Sequence, residues 1–592
     1  MASVLVHPTT VGWHPALHGW HLLRDHFWGK PTASTIVDHV LNFPTSAPFT
    51  HIYLGRTRGS IFVRQEYVDV YERLVSAEAL PFKSGRVLTG SPGIGKSTFL
   101  IYALARRLAE RQATFYYGGE HSVLLFCDKG VYQRSTADPD LAEHVYPLFD
   151  PDSTRRPWSL IDAGPVGQEP ATALTTTDVV FPVHAVEPDE NRFKSWKKRS
   201  ISPLWVMQPW EDGELVKGLA LHGVECVGAG PGERLVADSR WDTVGPCIRD
   251  FVAFVVDPAT FRSSIEDAAN QLYTPQDLFR AVANTSYSSS SSPISDALFV
   301  LSRSQTGGAP GTDLGVVDFK SGLAMRCLTK RFPGLGRDEA RILSQIAASR
   351  GGTALAGWIF ERVAVYFLSG NGTLLDGPSA LKGFHLMCRR PGCGDEHETA
   401  GAGAEYVYAP SDDVLEELRV ETGSVRLVSS PRSFGERSTA PIPSPTPPRT
   451  SLPVQRRSIV LYDSIDALDV LDPTMFYVAC GEEHSPLFDA FFLDLLADSD
   501  DTNSYVMWLL QMTGAGRRGS LDTDNGYADV RALLGKAGVK EVKYVLVVPR
   551  GSAKEVKKRS ASWTMPDGWE GVGVDVQGEV YVQFLDVDVQ IV

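Results

Sequence analysis

The sequence predicts an α/β protein: a first domain built on a mostly parallel sheet, followed by a second αβ domain. Three observations carry this. From about 61 to 285, short apolar runs of strand length alternate with runs whose apolar residues recur at helical spacing. A glycine-rich segment at 90–97 sits between one such strand and one such helix. After a serine run, Ser288 to Ser292, and Pro293, the pattern of strands and helices resumes.

At 592 residues the chain is too long for one compact core. Its 43% hydrophobic content suffices for packed cores and excludes a wholly disordered polymer. With 57 Lys+Arg against 71 Asp+Glu, the formal net charge is −14. That excludes a protein that coats nucleic acid through a uniform positive field, so any contact with DNA must be confined to a site. Seven cysteines, at 127, 226, 247, 327, 388, 393 and 480, are few, odd in number and scattered, as expected of reduced intracellular thiols rather than a disulfide framework. The opening residues, MASVLVHPTTVGWHPALHGWHLL, lack a basic segment and an unbroken apolar one, so no signal peptide is expected. No apolar run reaches about 18 residues, so no membrane span is expected either.

In chain order, residues 1–60 are rich in His, Trp and Pro and are expected to pack as an extension on something larger. Residues 61–285 form the first α/β domain, and 286–293 a flexible serine-rich joint. Residues 294–592 form the second domain, interrupted by a Pro-, Ser- and Thr-rich insert at 431–457 that is expected to be an exposed loop.

The strongest motif is GRVLTGSPGIGKSTFLIYALARRLAE. Val87 and Leu88 belong to an apolar strand, Gly90 to Ser97 spell GSPGIGKS, and Leu100, Leu104 and Leu108 then recur at helical spacing. This is a P-loop in its strand–loop–helix context, and it makes the first domain a P-loop NTPase. Gly90, Gly93 and Gly95 permit backbone angles that aim N–H groups at phosphate oxygens, and the helix N-terminus, with Thr98 among the nucleotide-binding residues, adds its partial positive charge. Lys96 reaches the β- and γ-phosphates, and the Ser97 hydroxyl ligates Mg²⁺.

A P-loop needs an acid from a neighbouring strand to hold the metal, and Asp162, closing WSLID, is the candidate; a surface Asp in a turn is the plainer alternative. Ala163 follows where many NTPases carry a Glu that polarises the attacking water, so hydrolysis is slow or its base comes from elsewhere. Val179 to His184 predict a further strand ending near the γ-phosphate; His184 is a phosphate sensor or, more plainly, a loop histidine. Arg192, Lys194, Lys197, Lys198 and Arg199 surround Trp196 as a solvated helix face, with a nucleic-acid patch or a nuclear-import signal as the sharper alternatives. Arg249 follows the turn Gly245–Pro246 and can stabilise charge on the γ-phosphoryl group, in cis or from a neighbouring protomer of an oligomer.

Together LTGSPGIGKSTFL, WSLID, FPVHAVEP with RFKSWKK, MQPW with Glu211, and GPCIR resemble the Crinkler-type effector proteins and the related retrotransposon-hot-spot proteins, over roughly 60–255. The resemblance implies a following domain of the restriction-endonuclease type. In such domains a helix Glu, a strand Asp and a next-strand acidic-or-Gln-x-Lys set converge on one or two Mg²⁺ ions for phosphodiester cleavage of DNA. GGTALAGWIFERVAVYFL predicts a helix with Ala356, Phe360, Val363 and Phe367 on one apolar stripe and Glu361 within it. HSPLFDAFFLD supplies Asp489 and Asp494, VMWLLQMTG a strand bearing Gln511 and Thr513, and 541–549 a further buried strand. The order Glu361, Asp489, Gln511, Thr513 is similar to the nuclease pattern, with Glu361 and Asp489 as metal ligands. Thr513 departs from it, because the chemistry expects a Lys there.

His385, Cys388, Cys393 and His397 are residue types that suit Zn²⁺, in a spacing unlike the common zinc patterns. The expectation is therefore a nucleotide-binding protein, with ATP or GTP and Mg²⁺, coupled to a metal-dependent nuclease acting on DNA, in the nucleus by resemblance and by the 192–199 cluster. A nucleotide-gated scaffold with an inactive nuclease fold, and a mobile-element accessory ATPase, are the competing expectations.

Overall fold

The structure is a computed structural model. It describes residues 4–44, 57, 59–79, 85–118, 122–138, 140–149, 155–162, 170–175, 179–188, 196, 203–224, 242–285, 292–304, 315–336, 338–339, 341–343, 353–371, 384–389, 404–408, 452, 454–480, 487–496, 504–512, 517–518, 524–549, 561–565 and 579–585. The chain divides into two compact units, Met1–Cys327 and Leu328–Val592. The first unit thus runs on beyond the serine joint. Among the described residues no helix is long and apolar enough to cross a membrane.

The strands of the first unit are β1 (His14–Pro15), β2 (Ile36–Val37), β3 (Val40–Asn42), β4 (Ser60–Phe62), β5 (Arg86–Thr89), β6 (Thr114–Tyr117), β7 (Ser122–Cys127), β8 (Gly130–Ser135), β9 (Trp158–Asp162), β10 (Phe181–Ala185), β11 (Leu204–Val206), β12 (Phe299–Arg303) and β13 (Gly315–Phe319). Eight of them form one sheet in the order β1-β8-β7-β6-β9-β10-β5-β11. From β6 to β11 every neighbour is parallel, while β7, β8 and β1 extend the sheet antiparallel. The sheet is mixed and mostly parallel. β5, β9 and β10 are buried at every position, as strands covered on both faces must be.

One face is covered by the helices Gln65–Glu78 and Lys96–Ala109, whose Tyr67, Tyr71, Leu74, Leu100, Leu104 and Leu108 join Leu88, Leu160 and Phe181 in one core. The first residues of the chain add to both faces. Leu23 and Phe27 enter that core, and Trp13 enters the opposite one with Phe115, Leu125 and Ile161.

The second unit holds β14 (Phe384–Leu386), β15 (Cys388–Arg389), β16 (Ala404–Tyr408), β17 (Ser458–Tyr462), β18 (Met475–Ala479), β19 (Ala490–Leu495), β20 (Tyr505–Met512), β21 (Arg517–Arg518), β22 (Val539–Pro549), β23 (Ala561–Met565) and β24 (Glu579–Leu585). Seven of them form a mixed sheet, β14-β24-β22-β20-β19-β18-β17. β18, β19 and β20 form an antiparallel meander, and β22 joins β20 in parallel after the helix Asp524–Lys536. Val530 and Leu533 of that helix pack with Met507, Leu509, Tyr544 and Leu546 of the sheet.

Two expectations change here. The helix Thr353–Leu368 buries its predicted stripe, but Trp358, Ile359, Ala364 and Leu368 are buried as well, so its apolar surface is far wider than one stripe. Arg457, at the end of the segment expected to be an exposed insert, is fully buried. Its guanidinium lies 4.3 Å from the centroid of Phe492 and donates to the carbonyls of Pro473 and Leu493. Residues 431–451 and 453 of that insert lie outside the described residues.

Candidate functional site

The chain leaves β5 at Thr89 and enters the helix Lys96–Ala109 through a loop in which Gly90, Gly93 and Gly95 take φ of +143°, +83° and +103°. Those angles disfavour side chains, and the surroundings forbid them at two positions. A Cβ at Gly93 would lie 2.9 Å from the Cβ of Arg249, and one at Gly95 would run into the Tyr67 hydroxyl. That hydroxyl donates to the Gly95 carbonyl at 3.0 Å, pinning the loop where it becomes helix.

Lys96 folds back over the loop, its Nζ donating to the carbonyls of Gly90 at 2.6 Å and Ser91 at 2.9 Å. Burial pushes its ammonium down to about 8; Glu187 pulls the other way, and the Arg249 charge adds to the depression. Ser97 Oγ donates to Asp162 Oδ1 at 3.1 Å. Asp162 closes β9, and burial raises its carboxyl above the usual range, against the Ser97 hydrogen bond and the Lys96 charge. A hydroxyl and one carboxylate meeting at the mouth of a phosphate loop fit Mg²⁺, which takes few protein ligands and completes its shell with phosphate oxygens and water. Among the described residues no three His, Cys, Asp or Glu side chains gather as a metal site.

These groups open on a cavity of about 650 Å³, within the range of small-molecule sites. Its lining includes Gly93, Gly95, Lys96, Ser97, Thr98, Asp162, Glu187 and Arg249, together with Phe62, Trp210, Leu221, His222, Ile248 and Val252. The polar members of the lining suit phosphates, and its aromatic and aliphatic members suit a flat heterocycle. Phe62 and Trp210 are stacked, with ring centroids 6.1 Å apart.

A second layer fixes the loop. Arg64, wholly buried, donates to the carbonyls of Ile94, Gln208 and Pro209 and pairs with Glu214 at 2.9 Å, so one guanidinium ties the phosphate loop to the chain beyond β11. The β12–β13 hairpin docks from the far end of the unit. Leu301 N donates to Ser91 Oγ at 2.7 Å, Gln208 exchanges two hydrogen bonds with the backbone of Arg303, and Arg303 pairs with Glu66 at 3.3 Å.

Of the residues singled out in the sequence, Gly93, Gly95, Lys96, Ser97, Thr98, Asp162 and Arg249 line one cavity, and Gly90 serves it through its carbonyl. His184 is neither a loop residue nor part of the lining. It is a buried strand residue whose ring lies 6.0 Å from that of Trp196, since alternate residues of β10 face opposite ways. Trp196 itself is buried, and the basic residues around it lie outside the described residues. Glu187 and Trp210 stood inside the FPVHAVEP and MQPW segments without a role of their own, and Arg64, Tyr67 and Phe62 were not singled out, because nothing in their spacing along the chain brings them to the loop.

In the second unit, Asp489 precedes β19 and Gln511 lies near the end of β20. Asp489 Oδ2 accepts from Gln511 Nε2 at 2.7 Å and from Met512 N at 2.6 Å. Glu361 pairs at 3.4 Å with Arg362, its neighbour on the helix. Arg362 is buried; burial lowers its pKa, and the charges of Glu361 and Asp489 both oppose that. Its Nε and Nη1 have no hydrogen-bond partner among the described residues. Thr513 lies outside the described residues, as do Cys393 and His397, while His385 and Cys388 fall on β14 and β15. Compared with protein-family models, with curated proteins and with solved structures, the chain matches none.

Proposed function

We propose that the first unit binds a nucleoside triphosphate with Mg²⁺ and hydrolyses it, as a P-loop NTPase. The observation that carries this is the convergence of Lys96 and the Ser97–Asp162 pair with a left-handed glycine loop on one cavity. Backbone N–H groups of the loop and of the helix start would bind the phosphates. Lys96 would leave the Gly90 and Ser91 carbonyls for the β- and γ-oxygens, and Arg249, which lies against Gly93 in the same lining, would stabilise charge on the γ-phosphoryl group. Ser97, with Asp162, would hold Mg²⁺, which would supply neutralisation of phosphate charge. The stacked Phe62 and Trp210 in the lining support a purine base, and ATP is the proposed nucleotide. The test is equilibrium binding of a fluorescent ATP analogue with Mg²⁺. Wild type should bind in the micromolar range, about −8 kcal/mol, and Lys96→Ala should not; equal binding by the two would refute the assignment.

For the second unit we propose a restriction-type nuclease core of the Crinkler-like kind. The order of the Glu361 helix, the strand after Asp489 and the strand bearing Gln511 supports it. The non-cleaving alternative, a scaffold that contacts DNA or protein, has its own observation. Asp489 Oδ2 is engaged by two donors, and the buried Arg362 guanidinium pairs with Glu361 at 3.4 Å and also feels the charge of Asp489. Nicking of supercoiled DNA with Mg²⁺ or Mn²⁺, lost in Asp489→Ala, would select the nuclease; no nicking in wild type would select the scaffold.

A further inference from the structure

The carboxylate that many NTPases place directly after the metal-holding Asp is replaced in this chain by Ala163. The strand order offers another source. β10 lies between β9 and β5, with Ala185 in register with both Asp162 and Leu88. The ladder continues one residue further, Val186 N donating to the Leu88 carbonyl at 2.9 Å. The chain is therefore carried past the last paired residue along the C-terminal edge of the sheet. Glu187 comes next, and it lines the cavity together with Lys96, Ser97 and Asp162. Its charge acts on Lys96 and also on Asp296, so its carboxylate lies within electrostatic reach of the group that would hold the terminal phosphate.

Resting on the nucleotide-hydrolysis reading, we propose that Glu187 supplies the carboxylate that orients and deprotonates the water attacking the γ-phosphorus. In this step the water oxygen forms a bond to the γ-phosphorus, and the bond from that phosphorus to the bridging β-oxygen breaks. The electron pair of the broken bond leaves with the nucleoside diphosphate. The water proton passes to the Glu187 carboxylate and then to solvent, which restores the base. A residue at the end of the strand beside the P-loop strand can reach this water as well as one following Asp162 can, because both strands end at the same edge of the sheet. A carboxylate that merely neutralises Lys96 is the competing role.

The experiment measures phosphate release from Mg²⁺–ATP and, separately, equilibrium binding of a non-hydrolysable fluorescent analogue, using the full chain. Glu187→Gln should lower kcat about 10²–10⁴-fold while the dissociation constant stays within about threefold of wild type. Glu187→Asp, one methylene shorter with its charge kept, should bind normally and retain an intermediate rate; it also serves if the Gln variant does not fold. Loss of binding in parallel with kcat in both variants, or normal kcat in Glu187→Gln, would overturn the assignment. A wild-type protein that binds the analogue but releases no phosphate would overturn it too, leaving nucleotide binding intact. A wild-type protein that binds no analogue would instead overturn the reading on which it rests.

Discussion

Raising the pH from 7 to 9 should weaken nucleotide binding, because the loop lysine of the empty protein titrates in that range. Burial sets the Lys96 ammonium at about 8, with Glu187 unable to offset it fully. About 90% of empty molecules then carry the proton at pH 7 and about 10% at pH 9. A triphosphate that requires the charged form sees its affinity scaled by that fraction, a loss of about tenfold, or about 1.4 kcal/mol. The nucleotide contributes little, since the last phosphate ionisation lies near pH 6 and is complete by pH 7. The stability of the empty protein should move the other way. The folded pKa lies below the unfolded value of about 10.4, so between about pH 8 and 10.4 the unfolded chain binds more protons and stability rises with pH. Fluorescent-analogue binding and urea denaturation, each measured from pH 7 to 9.5 at constant ionic strength, give the two slopes. Lys96→Arg, which stays charged, should flatten both. An affinity independent of pH in wild type, or one that falls equally in Lys96→Arg, would refute the reasoning.

Two further outcomes concern the framework. Arg64→Met removes a buried guanidinium from Glu214 and from three carbonyls, that of Ile94 in the phosphate loop and those of Gln208 and Pro209 beyond β11. It should cost about 3–5 kcal/mol of stability in urea denaturation and weaken nucleotide binding at temperatures where the protein is still folded. Asp489→Ala strips the acceptor shared by Gln511 and Met512. It should cost about 2–4 kcal/mol, with Asp489→Asn losing less, read as a lower midpoint of thermal unfolding.

The glycine loop was legible because its demands are local: backbone angles, a helix start and a lysine all lie within eight consecutive residues, Gly90 to Ser97. Asp162 was legible because an acid closing an apolar strand leaves a mark in the sequence. Glu187 left none. It stands two residues beyond a strand whose place between β9 and β5 follows from the sheet order, not from spacing along the chain. Arg64 reads as a polar residue ahead of a helix until the carbonyls of three separate residues converge on it. His184 was misplaced for a related reason, since the strand extends one residue beyond its expected end and so turns a loop histidine into a core one. Arg457 shows the limit of composition. A Pro- and Ser-rich neighbourhood says exposed, whereas an aromatic face and two carbonyls make burial tolerable.

The docking of the β12–β13 hairpin on the phosphate loop has a consequence for the order of folding. Ser91 and Leu301, joined by one hydrogen bond, are separated by 210 positions. During synthesis the strand β5, the loop and its helix emerge long before their last partner does. A growing chain can therefore build most of the parallel sheet, but Ser91, Glu66 and Gln208 must wait for residues near 300 before their hydrogen bonds are complete. A fragment cut at 285, the boundary suggested by composition, would present the loop without this support. Contacts of such long sequence separation form late and at high entropic cost, so the hairpin should be the last part of the first unit to lock.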